Sequence, residues 1–196
     1  MKPVDVTVIV PAWGDRPSAA GAINAYRDAL DRAQVNYELL VLEEPQVWGA
    51  AIVLGLNRAQ GEYVLAGVDD CPAVDDGWWP AARRLASEGD VVGCVVLEPR
   101  ETGPPEPVRY CTPKDLYESG GEVPFAMTPL ARRDVWAEIG PVPPTHAYTD
   151  IYVADKARSQ GRRVMVCPEW RAVHLNQSVA AVEDGQVYDA WKEVYL

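Results

Sequence analysis

Short, uninterrupted apolar runs alternate along this chain with longer stretches in which apolar residues recur every three or four positions. Val6 to Val10 is a β-branched run closed by Pro11 and the turn-prone Gly14–Asp15, which predicts a buried strand. Ile23, Tyr26, Leu30 and Ala33 then fall at helical spacing, and "YELLVL" (37–42) predicts a second strand. The cycle repeats with "GAAIVLGLNRAQ" as a helix, "EYVLAGV" as a strand, "WWPAARRLASEG" as a helix and "DVVGCVVL" as a strand. Strands alternating with helices of this length predict an α/β domain, a parallel or mixed sheet with helices on both faces.

From Glu98 to Pro124 the periodicity gives way to "EPRETGPPEPVRY" and "ESGGEVP", rich in Pro, Gly and Glu. A long loop holding one short strand is expected there, of the kind that serves as a lid. Thr128–Pro129 has the form of an N-cap followed by proline at the first helical position, which predicts a helix over "LARRDVWAEIG" closed by Gly140. "TDIYVADKARSQG" predicts a further helix ending in Gly161, "RRVMVC" a last inner strand and "AWKEVY" a terminal helix.

With 196 residues, 48% of them hydrophobic, the chain has material for one core. No apolar run approaches the roughly 20 residues that cross a bilayer, and the first residues lack the longer apolar stretch of a signal peptide. A cytoplasmic protein without a membrane span is the expectation. Cys71, Cys94, Cys111 and Cys167 form no CxxC pair, which points to reduced, buried thiols rather than a zinc knuckle or a redox dithiol. A formal net charge of -11 argues against a nonspecific grip on nucleic acid. It also repels free nucleotides, so a phosphate-bearing ligand is expected to arrive with a divalent cation.

Ligands of open α/β sheets sit at the carboxyl ends of the strands. The polar residues there are Trp13-Gly14-Asp15 after the first strand, Glu43-Glu44 after the second and Asp69-Asp70 after the third. No GxGxxG follows the first strand and no GxxxxGK[ST] occurs, which speaks against a dinucleotide site and a P-loop. Carboxylates holding Mg²⁺ or Mn²⁺, with the cation gripping a pyrophosphate, suit these strand ends. The stretch "AGVDDCPAVDDGWW" supplies four aspartates, of which Asp75 and Asp76 read as a turn and N-cap for a helix starting near Trp78.

From about Val6 to about His174 these pieces, in order, resemble the inverting GT-A glycosyltransferases, the large group that makes rhamnosyl, glucosyl and N-acetylglucosaminyl linkages. "VTVIVPAWGD" is similar to the opening strand whose tip, here Pro11, Ala12, Trp13 and Asp15, contacts the donor nucleotide. "YELLVLEE" resembles the strand with base-reading acids, Glu43 and Glu44 standing where relatives carry Asp. "AQGEYVLAGVDDCPAVDDGWW" resembles the acidic metal motif, with the metal-binding Asp on Asp70, Asp69 in the middle and Val68 where many relatives have a first Asp. "TPLARRDVWAEIG" is similar to the segment ahead of the acceptor site. "TDIYVADKARSQGRRVMVCPEWRAVH" resembles the family's ending, with Asp150 as general base, Thr149 in place of the preceding Glu, and His174 as a metal ligand. Trp13 offers either a stacking face for the base or a core side chain.

The resemblance implies a single GT-A (Rossmann-like) domain over 1–196, with a nucleotide-sugar half at about 1–97, an acceptor and catalytic half at about 98–178 and a tail helix at 179–196. It implies a metal-dependent inverting glycosyltransferase that uses Mn²⁺ or Mg²⁺ and a nucleoside diphosphate sugar. The acceptor hydroxyl stays open among glycan, lipid, protein and modified nucleic-acid base. A noncatalytic nucleotide- or sugar-binding protein on the same fold, suggested by Val68 and Thr149, and a nucleotidyltransferase are the alternatives. The loop "PAWGDRPSAAG" is a poor match to the second.

Overall fold

A computed structural model describes residues 3–12, 17–43, 47–75, 77–100, 102–108, 111–145, 147–175 and 194. Its seven strands are β1 (Val6–Pro11), β2 (Tyr37–Leu42), β3 (Tyr63–Ala66), β4 (Val91–Glu98), β5 (Glu106–Pro107), β6 (Leu130–Arg132) and β7 (Val164–Val173). The helices are α1 (Pro17–Arg32), α2 (Trp48–Leu56), α3 (Trp78–Ser87), α4 (Pro113–Ser119), α5 (Arg133–Ile139) and α6 (Thr149–Ser159). The expected terminal helix over "AWKEVY" lies outside the described residues apart from Val194.

β1 pairs in parallel with β2 on one side and β3 on the other, and all six of its residues are buried. This is why its sequence is nearly all apolar instead of alternating. Its one polar side chain, Thr7, is satisfied: Oγ1 donates to Glu38 Oε2 at 2.8 Å and accepts from Gly61 N at 2.9 Å. β6 runs antiparallel between β3 and β4, and β7 lies parallel to β4. The five strands β1, β2, β3, β4 and β7 therefore point the same way and share one carboxyl edge.

The period of two along the strands divides the core. Val6, Val8, Val10, Tyr63 and Leu65 face α1 and α3, whereas Ile9, Val64 and Ala66 face α2, α5 and α6. Helices thus cover both faces, as the alternation predicts. The four thiols are buried and unpaired, and burial pushes Cys111 up to about 11 and Cys167 up to about 12.

Two sequence expectations are corrected. Thr128 has φ of +51°, outside the extended region an N-cap needs, and the chain after it forms β6 before α5 starts at Arg133. The gap between β3 and β4 requires a strand to satisfy their backbones, and three residues fill it. The Pro/Gly-rich stretch holds not only a short strand, β5, but also α4, whose Thr112 Oγ1 accepts from Asp115 N at 3.2 Å. Gly120, left-handed at φ 66°, closes that helix. The next residues then line the start of β7: Val123 N–H donates to Val164 O and Val166 N–H to Gly121 O, both at 3.0 Å.

β7 itself is broken. Cys94 pairs with Cys167 but Val95 pairs with Arg171, so Pro168, Glu169 and Trp170 bulge from the ladder. The bulge turns Trp170 inward, where its ring stacks on Trp78 at 4.5 Å and 17°. Trp78 meets Trp79 edge-on at 5.9 Å, and Trp79 meets Tyr63 the same way at 5.9 Å. This aromatic row ties α3 to the strand that ends in His174. Trp170→Ala is expected to cost about 3–5 kcal/mol, as for other buried aromatics, whereas removing the exposed Tyr117 side chain should change stability by less than about 0.5 kcal/mol. Urea denaturation of the two variants checks this, and equal midpoints would remove the row from the account.

Candidate active site

The carboxyl edge collects those residues singled out in the sequence that the structure describes there. Pro11 and Ala12 end β1, where Ala12 N–H extends the ladder to Leu42 O at 2.9 Å, and both are buried. Glu43 stands exposed beyond β2. Trp13, Asp15, Glu44, Asp76 and His146 lie outside the described residues.

The end of β3 is gripped from two sides. Gly67 N–H donates to Ile9 O at 2.8 Å, and Trp48 Nε1–H, from the first turn of α2, donates to Gly67 O at 3.0 Å. A side chain at Gly67 would crowd the Tyr26 ring, with an added Cβ 3.2 Å from its Cε2. The chain then continues through Val68, Asp69 and Asp70. Val68, partly buried, packs against the apolar clusters of both sheet faces. Asp69 is buried, with 4% of its surface exposed.

Beyond Asp70 the chain crosses to the outer edge of β7 and runs antiparallel to its end. Leu175 N–H donates to Asp70 O at 2.8 Å, Val173 N–H to Pro72 O at 3.1 Å and Val74 N–H to Arg171 O at 2.8 Å, with Ala73 opposite Ala172. On its other side, His174 N–H donates to Leu97 O of β4 at 2.9 Å. This ladder brings His174 Nε2 to 3.7 Å from Asp70 Oδ2, with each side chain 14% exposed. The separation is too long for a hydrogen bond. It suits two ligands of one ion, since donors each about 2.1 Å from a cation stand no more than about 4.2 Å apart. No third His, Cys, Asp or Glu joins them among the described residues. A carboxylate and an imidazole alone leave most coordination positions for ligand oxygens, the usual arrangement for a hard cation on phosphates.

Asp75 is corrected. α3 starts after Gly77 without a side-chain cap, and the Asp75 carboxylate instead faces Arg171 across the ladder. The Arg171 guanidinium holds that carboxyl below its ordinary range. Sequence reading missed this pairing, because its two members lie on opposite sides of the domain in chain order.

Asp150 occupies the first turn of α6, which precedes the parallel strand β7 and so starts at the same carboxyl edge. Tyr148, ahead of the helix, is left-handed at φ 65°. Thr145 holds the approach, donating to Ala147 O at 2.5 Å and accepting Gly49 N–H at its carbonyl at 3.0 Å. Thr149 is fully buried, with Oγ1 3.3 Å from Thr145 Oγ1, so a glutamate would find no space there. Asp150 is half-buried, and its Oδ1 accepts from Ile151 N at 2.9 Å. Desolvation pushes its carboxyl up to about 6, against the lowering effect of the Ile151 amide. An acid poised there accepts a proton near neutral pH.

Two further acids, both in the 98–124 stretch, are held elsewhere. Glu122 faces Met165 at the amino end of β7, and the exposed Glu118 lies 3.7 Å from Lys114 within α4.

No family model and no curated protein matches the sequence. Solved structures do match the fold. The structure of GalNAc-T7 with UDP, GalNAc and Mn²⁺ aligns at a TM-score of 0.64 and 12% identity, covering 98% of this chain and 48% of that one. The mannosyltransferase PcManGT from Pyrobaculum calidifontis, in complex with GDP-Man and Mn²⁺, aligns at 0.62 and 18% identity over 97% of this chain and 62% of that one. S. aureus TarS aligns at 0.59 and 15% identity over 88% and 37%. The chain therefore spans about half the length of the first of these and less than two thirds of the second. It has the GT-A glycosyltransferase fold.

Proposed function

We propose that the protein is a metal-dependent glycosyltransferase that moves a sugar from a nucleoside diphosphate donor to an acceptor hydroxyl with inversion. The observation that carries this reading is the meeting of Asp70 and His174 at the carboxyl edge of a GT-A sheet. Neighbours of the same fold carry UDP or GDP-Man together with Mn²⁺.

In this reading Pro11, Ala12, Trp13, Asp15, Glu43 and Asp69 surround the nucleotide, and Asp70 and His174 hold Mn²⁺ or Mg²⁺ against the diphosphate. The cation supplies Lewis-acid stabilisation of the charge that develops on the leaving group. Asp150 takes the proton of the acceptor hydroxyl as its oxygen bonds to the anomeric carbon and the bond from that carbon to the diphosphate oxygen breaks. One displacement inverts the configuration. Of the segment from Glu98 to Pro124, the start, where β5 pairs with the carboxyl end of β4, acts as the lid that excludes water; the end, 121–124, lies against the start of β7 and takes no part in it.

A panel of nucleotide sugars, with and without Mn²⁺, read by released nucleotide and by thermal shift, tests the reading. Release that requires Mn²⁺ supports it. Tight nucleotide binding with neither transfer nor hydrolysis for any donor would instead identify a noncatalytic binder.

Asp70→Ala and His174→Ala are each expected to abolish the Mn²⁺-dependent part of nucleotide binding and to leave the EDTA-resistant part unchanged. Calorimetry with UDP and GDP measures both, and unaltered Mn²⁺ dependence in either variant would dismiss that residue as a ligand.

Asp150→Asn should lower transfer by about 10²–10⁴-fold, the usual worth of a positioned base, with nucleotide affinity retained. The parent rate should fall as pH drops through about 6, where the base becomes protonated. Stability should move the opposite way. A carboxyl raised from 3.8 to about 6 binds its proton more tightly when folded, so its stabilising effect is complete below pH 3.8 and lost as pH rises through 6. Above pH 6 the neutral Asn variant should therefore be more stable than the parent, by about 1–3 kcal/mol. A variant that transfers at the parental rate would show that Asp150 is no base.

A further inference from the structure

The ladder that sets His174 beside Asp70 begins where β7 resumes after its bulge. Arg171 is the first residue in the new register, opposite Val95 of β4, and Trp170 immediately before it is turned into the core. Three skipped residues make this register a choice. Strands advance about 3.3 Å per residue, and a slip of one residue would turn every following side chain to the other face. His174, three positions on, would then leave Asp70.

Asp75 meets the chain at that point. Its Oδ2 accepts from Arg171 Nε at 2.7 Å and from the Arg171 backbone N–H at 3.2 Å, and its Oδ1 accepts from Nη2 at 2.6 Å. The carboxylate therefore reads both the fork of the guanidinium and the amide of the same residue. Only Arg171 in register satisfies all three bonds, since the amide fixes the height along β7 and the fork fixes the residue. Asp75 also ends the segment that carries Asp70, so the contact fixes the two strands at the far end of the ladder from the Asp70–His174 pair. Arg171 is 53% exposed and Asp75 24%, and a pair so placed contributes little to global stability.

The geometry points to Asp75 and Arg171 as a positioning pair that sets the register at which His174 is presented to Asp70. Neither touches the nucleotide or the cation; they act through the ladder. The inference rests on the proposed metal role of Asp70 and His174. Ligand placement has to hold within about 0.2 Å, so a small loss of register is costly for metal affinity and nearly silent in folding.

The test uses Asp75→Asn, Arg171→Lys and the double variant, with Asp70→Ala as a control. Arg171→Lys keeps the charge and stem but loses the fork, so it remains informative should Asp75→Asn fold poorly. Free Mn²⁺ is followed by electron paramagnetic resonance with UDP or GDP, whichever the parent holds more tightly, and melting temperature is recorded beside it. Each single variant should weaken Mn²⁺ binding by roughly 10–100-fold, as for other residues that support a metal ligand, with melting temperature and EDTA-resistant nucleotide affinity unchanged. The double variant should be no worse than the singles, because either change already breaks the pair. Parental Mn²⁺ affinity in Arg171→Lys, while Asp70→Ala loses it, would overturn the positioning role and leave the metal reading standing. Parental Mn²⁺ affinity in Asp70→Ala would overturn both.

Discussion

The antiparallel pairing of residues 70–74 with 171–175 is the constraint on which the candidate site depends. Each segment alone places its polar residue at a strand end, but β3 lies in the middle of the sheet and β7 at its border. Only the crossing of the 67–74 segment over the intervening strands brings Asp70 to His174. The bonds that secure this crossing are backbone bonds, indifferent to side-chain identity, and side chains enter only at its ends. Trp170 stacks on Trp78 below, and Asp75 meets Arg171 at the start of the ladder.

The first half of the fold was legible because its inner strands are buried on both faces, which leaves uninterrupted runs such as "VTVIVP". β6 was not. Thr128–Pro129 imitates a helix start, and only the unfilled place between β3 and β4 makes "LAR" a strand, a tertiary demand that no local pattern announces. α4 was legible and overlooked: "TPKDLYESGG" carries an N-cap Thr, a Pro at the first turn and a closing Gly, signals hidden among many other prolines and glycines. Asp70 and His174 were named through family resemblance. Physical pattern alone had no means to join them, because the contact depends on a bulge in β7. For the same reason Asp75 read as a cap while its partner lay on the last strand.

Competing effects at Asp150 are decided by magnitude. A helix N-terminus favours a carboxylate by about 0.3–1 kcal/mol, and the Ile151 amide adds its own bond. The carboxyl is nonetheless displaced upward from 3.8 to about 6, a net of roughly 3 kcal/mol with those effects already included, so dehydration outweighs them. The approach to α6 is closely packed beside it. Gly49 lets α2 come so close that an added Cβ would sit 1.8 Å from Pro143 O, and Thr149 fills the remaining space.

Val68 and Thr149, the two departures from the family pattern, acquire a common physical meaning. Both positions are given to packing, Val68 between the two apolar clusters and Thr149 between the 143–145 segment and α2. An acid at Thr149 would be buried among groups that are already bonded, and one at Val68 would displace a side chain that packs on both clusters. In the proposed reading the chemistry is left to the residues that follow, Asp69 and Asp70 after Val68 and Asp150 after Thr149. With one carboxylate and one imidazole in place, the protein alone is a poor chelator, and an ion held there draws its remaining ligands from phosphate oxygens. Metal and nucleotide affinities are then reciprocally linked in the proposed reading, each rising with the other by the same factor. Such coupling would let a chain of net charge -11 bind a diphosphate that its own field repels.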